Sequence, residues 1–213
     1  VQGDQALREK RPADAYVAYS TVFKHAPGSD IIIKLALAQW QAGQVTKGIE
    51  LLERYLQVNP NDTLVRFNLA NLYLLKGDKQ AAQQAFSAVV VTSPDHVLSL
   101  NNLAWLMRKS DPEKARGYAE HAHQLAPDSW SVKDPLAMIL LQQGESGRAV
   151  QLLEEALEIA PDDRRTRYHL ALALTQADRK EDALETLRRA LSGNASFNEA
   201  DDARRLLEEL EAR

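Results

Sequence analysis

The stretch LNNLAWLM, residues 100–107, sets two amides and an indole within five positions of one apolar run. Asn101 and Asn102 each carry a donor and an acceptor that suit a peptide backbone, and Trp105 offers large contact area at small entropic cost. Other residues with chemical potential are scattered. His121 and His123 lie two apart, so on a helix they point about 200° away from each other and cannot share one metal ion; they read as solvated surface. His169, next to Tyr168 in an apolar helical pattern, reads as structural. Glycines occur singly, without a phosphate-cradling GxGxxG or GxxxxGK[ST] spacing. No Ser–His–Asp arrangement is defensible. The expectation is therefore no catalytic residue, no metal site and no cofactor.

Bulk properties agree with a binding role. The chain has 213 residues, 45% hydrophobic and 26% charged, as in a folded soluble domain or two. The net charge of −4 is spread along the length, which argues against nucleic acid, since that partner needs clustered Lys and Arg. There is no cysteine, hence no disulfide framework and no thiolate metal site. No apolar run approaches the roughly 20 residues of a membrane-spanning helix, and no signal peptide is present. The chain starts at Val1 without Met, as a fragment or a processed form would.

The elements that must carry LNNLAWLM emerge from a repeat. Pro27, Pro60, Pro94, Pro127 and Pro161 follow the similar runs VFKHAP, YLQVNP, VVVTSP, AHQLAP and LEIAP, at spacings of 33, 34, 33 and 34. Such a period marks stacked supersecondary units. Each period has two helical halves. Leu100, Leu103, Ala104 and Met107 form one helix stripe, and Leu69, Ala70 and Tyr73 repeat it. A breaker follows: Gly43, Gly77, the Ser110–Pro112 turn, Gly144 and Asp178. In the second half Ala82 and Phe86, Ala115 and Ala119, Ala149 and Leu153, Ala183 and Leu187 sit four apart, the small residue allowing close helix approach. The closing proline stops the second helix. Pairs of short antiparallel helices bury their apolar faces only by stacking on neighbours.

These residues resemble the tetratricopeptide repeat family: Leu69, Ala70, Tyr73, Gly77, Ala82, Phe86 and Pro94, then Leu103, Ala104, Ala115, Ala122 and Pro127, then Leu136, Ala137, Gly144, Ala149, Ala156 and Pro161. The resemblance implies an all-α, right-handed superhelical solenoid of antiparallel helix pairs, about thirteen helices in all. One array would fill the chain: a partial repeat over 1–27, full repeats over 28–60, 61–94, 95–127, 128–161 and 162–194, and a C-terminal capping helix over 195–213. That last helix reads as roughly 198–212, with Asn198 and Asp201 as a capping box. Pro135 predicts a shortened or kinked helix near 129–135, with Asp134 as N-cap. A narrower likeness covers about the last 110 residues. LNNLAWLM, KARGYAEHAHQLAP and RYHLALAL resemble the C-terminal repeats of PEP-CTERM/exosortase-associated (PrsT-like) repeat lipoproteins. Pro135, Leu136, Ala137 and Met138 depart from the Thr-Leu-Gly-Trp run expected in those proteins.

Beside the core stripe, Asn101, Trp105 and Arg108 share one flank of their helix. The repeat resemblance implies that this flank lines a concave surface. Equivalent positions are Ile33, Leu37 and Trp40; Phe67, Asn71 and Leu74; Asp134, Met138 and Leu141; Tyr168, Leu172 and Thr175. Together they make an aromatic and aliphatic groove suited to an extended peptide or a helix. The alternative is that Trp105 and Asn101 pack against the neighbouring helix of the array; Asn102, on the far flank, reads as joining repeats. Some family members grip an acidic C-terminus with a basic clamp, but here the clamp positions carry Ile33, Leu37, Phe67 and Asn71, without the lysines. The expected function is a non-catalytic scaffold that holds a protein or peptide partner. By the narrower likeness it would work in a bacterial envelope assembly for exopolysaccharide export or protein sorting, periplasmic or outer-membrane-attached, although the composition also suits cytoplasm. A structural spacer or homo-oligomerisation module, or the substrate-recruiting part of a larger enzyme, are the competing classes.

Overall fold

The computed structural model describes residues 2–193 and 196–212. Among them are thirteen α-helices and no strand. The chain divides into two compact units, Val1–Leu103 and Ala104–Arg213. The first holds α1 (Gln2–Arg8), α2 (Pro12–His25), α3 (Ser29–Gln41), α4 (Val45–Val58), α5 (Thr63–Lys76), α6 (Lys79–Thr92) and the start of α7 (Val97–Met107). The second holds the end of α7, then α8 (Pro112–Leu125), α9 (Trp130–Gln142), α10 (Ser146–Ile159), α11 (Arg164–Gln176), α12 (Lys180–Ala190) and α13 (Ala200–Ala212).

Local chemistry explains where the helices stop. Each repeat proline stands two residues past a helix end: His25, Val58, Thr92, Leu125 and Ile159. The residue between them cannot stay helical, because the proline ring clashes with its backbone. Accordingly Ala26, Asn59, Ser93, Ala126 and Ala160 all have φ between −123° and −142° and ψ between 64° and 81°. Each still donates its N–H to the carbonyl four residues back. The next helix is started by a carboxylate in several repeats. Asp62, Asp78, Asp111 and Asp163 accept from the backbone N–H of Val65, Ala81, Lys114 and Thr166, a cap worth about 1 kcal/mol.

Inside several pairs the short turn holds a left-handed residue, although the α7–α8 turn does not. Gly43, Gly77 and Gly144 take φ of 76°, 86° and 84° there, and Asp178 takes 57° at the equivalent place after α11. An L-residue in that region costs about 1–2 kcal/mol. Asp178→Gly is therefore expected to raise the stability of the α11–α12 pair by about 1 kcal/mol. A shifted urea midpoint or slower amide exchange in that pair would register it, and an unchanged value would count against strain at Asp178.

Packing follows the small–large pairs. Ala82, Phe86, Ala115, Ala119, Ala149, Leu153, Ala183 and Leu187 are all fully buried. Two more pairs at the same register complete the series: Ala15 with Tyr19, and Gly48 with Leu52. At Gly48 the approach of α3 is closer still, since a Cβ would lie 2.7 Å from the carbonyl oxygen of Ala36. In α1, Gly3 makes room for Tyr19, whose ring carbon would stand 2.4 Å from a Cβ. Within the first unit α3 packs on α4 and α5 on α6, with α2·α3 and α4·α5 contacts joining successive pairs; within the second α9·α10 and α11·α12 do the same, joined by α8·α9, α10·α11 and α12·α13.

Two expectations are corrected. Helix α9 is not shortened: it begins at Trp130 with Ser129 as N-cap, has 13 residues, and carries Pro135 as its sixth. A proline there costs about 3 kcal/mol. Val132, Leu136, Ala137, Ile139 and Leu140 are each at most 2% exposed, and burying each of the larger side chains gains about 1.5–3 kcal/mol. Tertiary burial outweighs the local penalty. Helix α13 starts at Ala200, so residue 199 and not Asn198 precedes it; the Ala200 N–H is taken by the Phe197 carbonyl in a turn. The expected division between last repeat and cap, at 194/195, lies outside the described residues.

Candidate functional site

The first helix of each pair presents the flank that contains the candidate residues. In the first unit Ile33 is 9% exposed, Leu37 is half-buried and Trp40 is 38% exposed on α3. On α5, Phe67, Asn71 and Leu74 are half-buried. Phe67 is held between rings: its centroid is 5.8 Å from Phe86 and 4.9 Å from His96. Asn101, at the same register on α7, is half-buried. Asn102 donates its side-chain N–H to the Leu98 carbonyl of its own helix at 2.9 Å, as Asn68 does to Leu64.

The second unit concentrates polar chemistry at α7, α9 and α11. Trp105 lies near the end of α7 and Arg108 in the turn one residue past it. The Arg108 guanidinium stacks 3.7 Å from the Trp105 ring centre and donates to the Trp105 carbonyl at 2.6 Å. From α11, the Arg165 guanidinium stands 5.5 Å from the same ring, and the His169 ring 6.3 Å from it. Cation–π contacts of this kind are worth about 0.5–2 kcal/mol, more when water is excluded. Asp134, from α9, is 1% exposed and holds the arrangement together. Its Oδ1 faces His169 Nδ1 at 2.6 Å, and its Oδ2 accepts from Arg165 at 2.9 Å. Burial alone would push the Asp134 carboxyl up; the hydrogen bond and charge of His169, then Arg165, outweigh it and hold the carboxyl below the ordinary carboxylate range. Burial lowers the Arg108 pKa, and the neighbouring charge of Arg165 lowers it further.

Of the remaining candidates, Met138 and Leu172 are half-buried. Tyr168 is 8% exposed, its ring 5.8 Å from His169 and 6.5 Å from Phe197. The structure thus brings Trp105, Arg108 and Asp134 together. It adds Arg165 and His169, which the flank pattern does not select. A signal for Arg165 does exist, since it sits one turn before Tyr168 on the same helix. His169 has none, because its partner is 35 residues away. His123, read as solvated, is half-buried against Lys133 and Glu155, and burial, then the Lys133 charge, pushes its pKa down. Among the described residues no group of three or more His, Cys, Asp or Glu is placed to hold a metal. No described helix is long and apolar enough to cross a membrane.

Short antiparallel helix pairs ended by prolines, several of them turned through an αL residue, define a helical-repeat protein. Models of the tetratricopeptide repeat match residues 33–97 and 140–196, together more than half of the chain. The chain belongs to the tetratricopeptide repeat family. No curated protein matches it in sequence. Solved structures share the fold. Cut9–Hcn1, an APC/C hetero-tetramer, aligns over 98% of this chain and 41% of its own, at TM-score 0.78 and 16% identity. YrrB, described as a TPR protein with an unusual peptide-binding site, aligns over 88% and 98%, at 0.66 and 16%. MamA from Desulfovibrio magneticus RS-1 aligns over 83% and 96%, at 0.67 and 15%. These likenesses establish an all-α tetratricopeptide superhelix.

Proposed function

We propose that this chain is a non-catalytic scaffold that binds an extended peptide segment of a partner protein along the flank of its first helices. The observation that carries it is Trp105. A large aromatic side chain is left half-buried and braced by Arg108 and Arg165, when a purely structural repeat would tuck it into the core. Rigid, partly desolvated aromatic groups beside arginine dominate binding energy at protein interfaces. Phe67, fixed by Phe86 and His96, and the exposed Leu64 and Leu75 give the first unit an apolar counterpart. The peptide-binding site of YrrB, a protein of the same fold, supports the reading. The runs LNNLAWLM, KARGYAEHAHQLAP and RYHLALAL favour an envelope assembly for exopolysaccharide export or protein sorting as the setting.

The test is selection of random extended peptides on the full chain, followed by affinity measurement with wild type and Trp105→Ala. Hot-spot aromatics cost about 2 kcal/mol or more when truncated, so the variant is expected to bind selected peptides about 30-fold more weakly while remaining helical by circular dichroism. If Trp105→Ala binds as well as wild type, or if the chain selects no peptide, the scaffold reading gives way to that of a spacer or oligomerisation module.

A further inference from the structure

We infer that the Trp105–Arg108–Arg165 cluster is a carboxylate-recognition site, which takes an Asp or Glu side chain within the peptide segment that the scaffold binds. The inference rests on the peptide-binding reading and adds what the peptide must carry.

The argument is one of unbalanced charge in a partly dry place. Among the described residues Arg108 has no carboxylate partner; its hydrogen bond goes to the Trp105 carbonyl. Arg165 has one, Asp134, which it shares with His169. Two guanidiniums against one buried carboxylate leave one positive charge over, counting only the permanently charged arginines and ionised Asp134. Burial already lowers the Arg108 pKa, and Arg165 lowers it further by repulsion. A protein that needed only packing at this point could use a neutral side chain and avoid both costs. A single incoming carboxylate would neutralise the excess, with the planar guanidinium fork supplying paired N–H donors. The excess is one unit, which matches a carboxylate better than a doubly charged phosphoryl group.

The geometry also separates roles. Arg108 sits over the indole and donates from one terminal nitrogen to the Trp105 carbonyl, which leaves the N–H groups of its other terminal nitrogen for an incoming group. Arg165 is 44% exposed at its side chain, whereas Asp134 is 1% exposed. Asp134 and His169 therefore act as positioning residues that tether Arg165 from beneath, and Trp105 is the platform against which the peptide lies.

The peptide selection described above decides the matter when its sequences are read. Wild type is expected to enrich Asp or Glu at one internal position. Replacing that residue by Gln or Asn in a selected, C-terminally amidated peptide should weaken binding at least about tenfold. Arg108→Gln and Arg165→Gln should each abolish the acidic preference while still binding the Gln peptide. Arg108→Lys, which keeps the charge without the fork, should retain part of it. Circular dichroism melts check that each variant is folded. Peptides selected without acidic enrichment would overturn the inference and leave the scaffold intact. Enrichment that persists in the Arg108→Gln, Arg165→Gln double variant would overturn it, as would dependence on a free C-terminal carboxylate or on phosphoserine in place of Glu. Failure to select any peptide would remove both readings together.

Discussion

Asp134→Ala destabilises the second unit by about 2–3 kcal/mol at neutral pH. Removing one partner from a buried ion pair costs about 3–5 kcal/mol, because the remaining group is stranded without water. Here Arg165 is 44% exposed and can rehydrate, so the full figure is not reached. The His169 ring, 3% exposed, cannot. Hydrogen exchange in α9 and α11 reads the loss locally, which suits a repeat array in which unfolding need not be all-or-none. The effect carries a pH signature. The folded-state pKa of Asp134 lies below its unfolded value, so its contribution is complete above the ordinary Asp value of about 4 and is lost as pH falls through the depressed one. The difference between wild type and Asp134→Ala is accordingly expected to shrink on acidification below about pH 4. A gap that stays constant down to pH 2.5 or so would show that folding does not depress the Asp134 pKa.

Phe86→Ala costs the first unit about 3–5 kcal/mol, the usual range for deleting a fully buried aromatic ring. Phe86 is 0% exposed on α6, and its ring supports Phe67 at 5.8 Å across the α5–α6 pair. The cavity would open beside Phe67, so under the proposed peptide-binding role affinity at the first unit should fall along with stability. Phe86→Leu preserves most of the volume and should cost less than half as much. Denaturant titration monitored by amide exchange in α5 and α6 separates the two. A loss of under about 1 kcal/mol for the Ala variant would mean that the pair collapses to fill the space.

The repeat was readable because its signals are local. The five prolines act on the residue immediately before them, and the αL turns put one residue, glycine at three of them and Lys10 or Asp178 at two others, in the left-handed region. The small residue at Ala82, Ala115, Ala149 and Ala183 answers to a helix only one turn away in sequence, so period, helix number and core stripe could be written down from composition and spacing. Pro135 was misjudged for the opposite reason. Its cost is local, but what pays for it is the burial of Val132, Leu136, Ile139 and Leu140 between neighbouring helices, which a single helix does not display.

The candidate flank divides along the same line. Asn101, Asp134 and Tyr168 occupy one register in three successive repeats, yet they are half-buried, 1% exposed and 8% exposed. Register sets the direction in which a side chain leaves its helix; the residue that meets it from the next repeat sets its exposure and its partners. The sequence by itself determined that this protein is built of helical hairpins and which stripe of each helix is apolar. Only the tertiary structure decided that Asp134 is gripped by His169 and Arg165 and that Arg108, over Trp105, meets no carboxylate among the described residues. The Asp134 contacts join residues from different repeats, and the electrostatic field at Arg108 is a sum over neighbours such as Arg165 that chain order does not reveal.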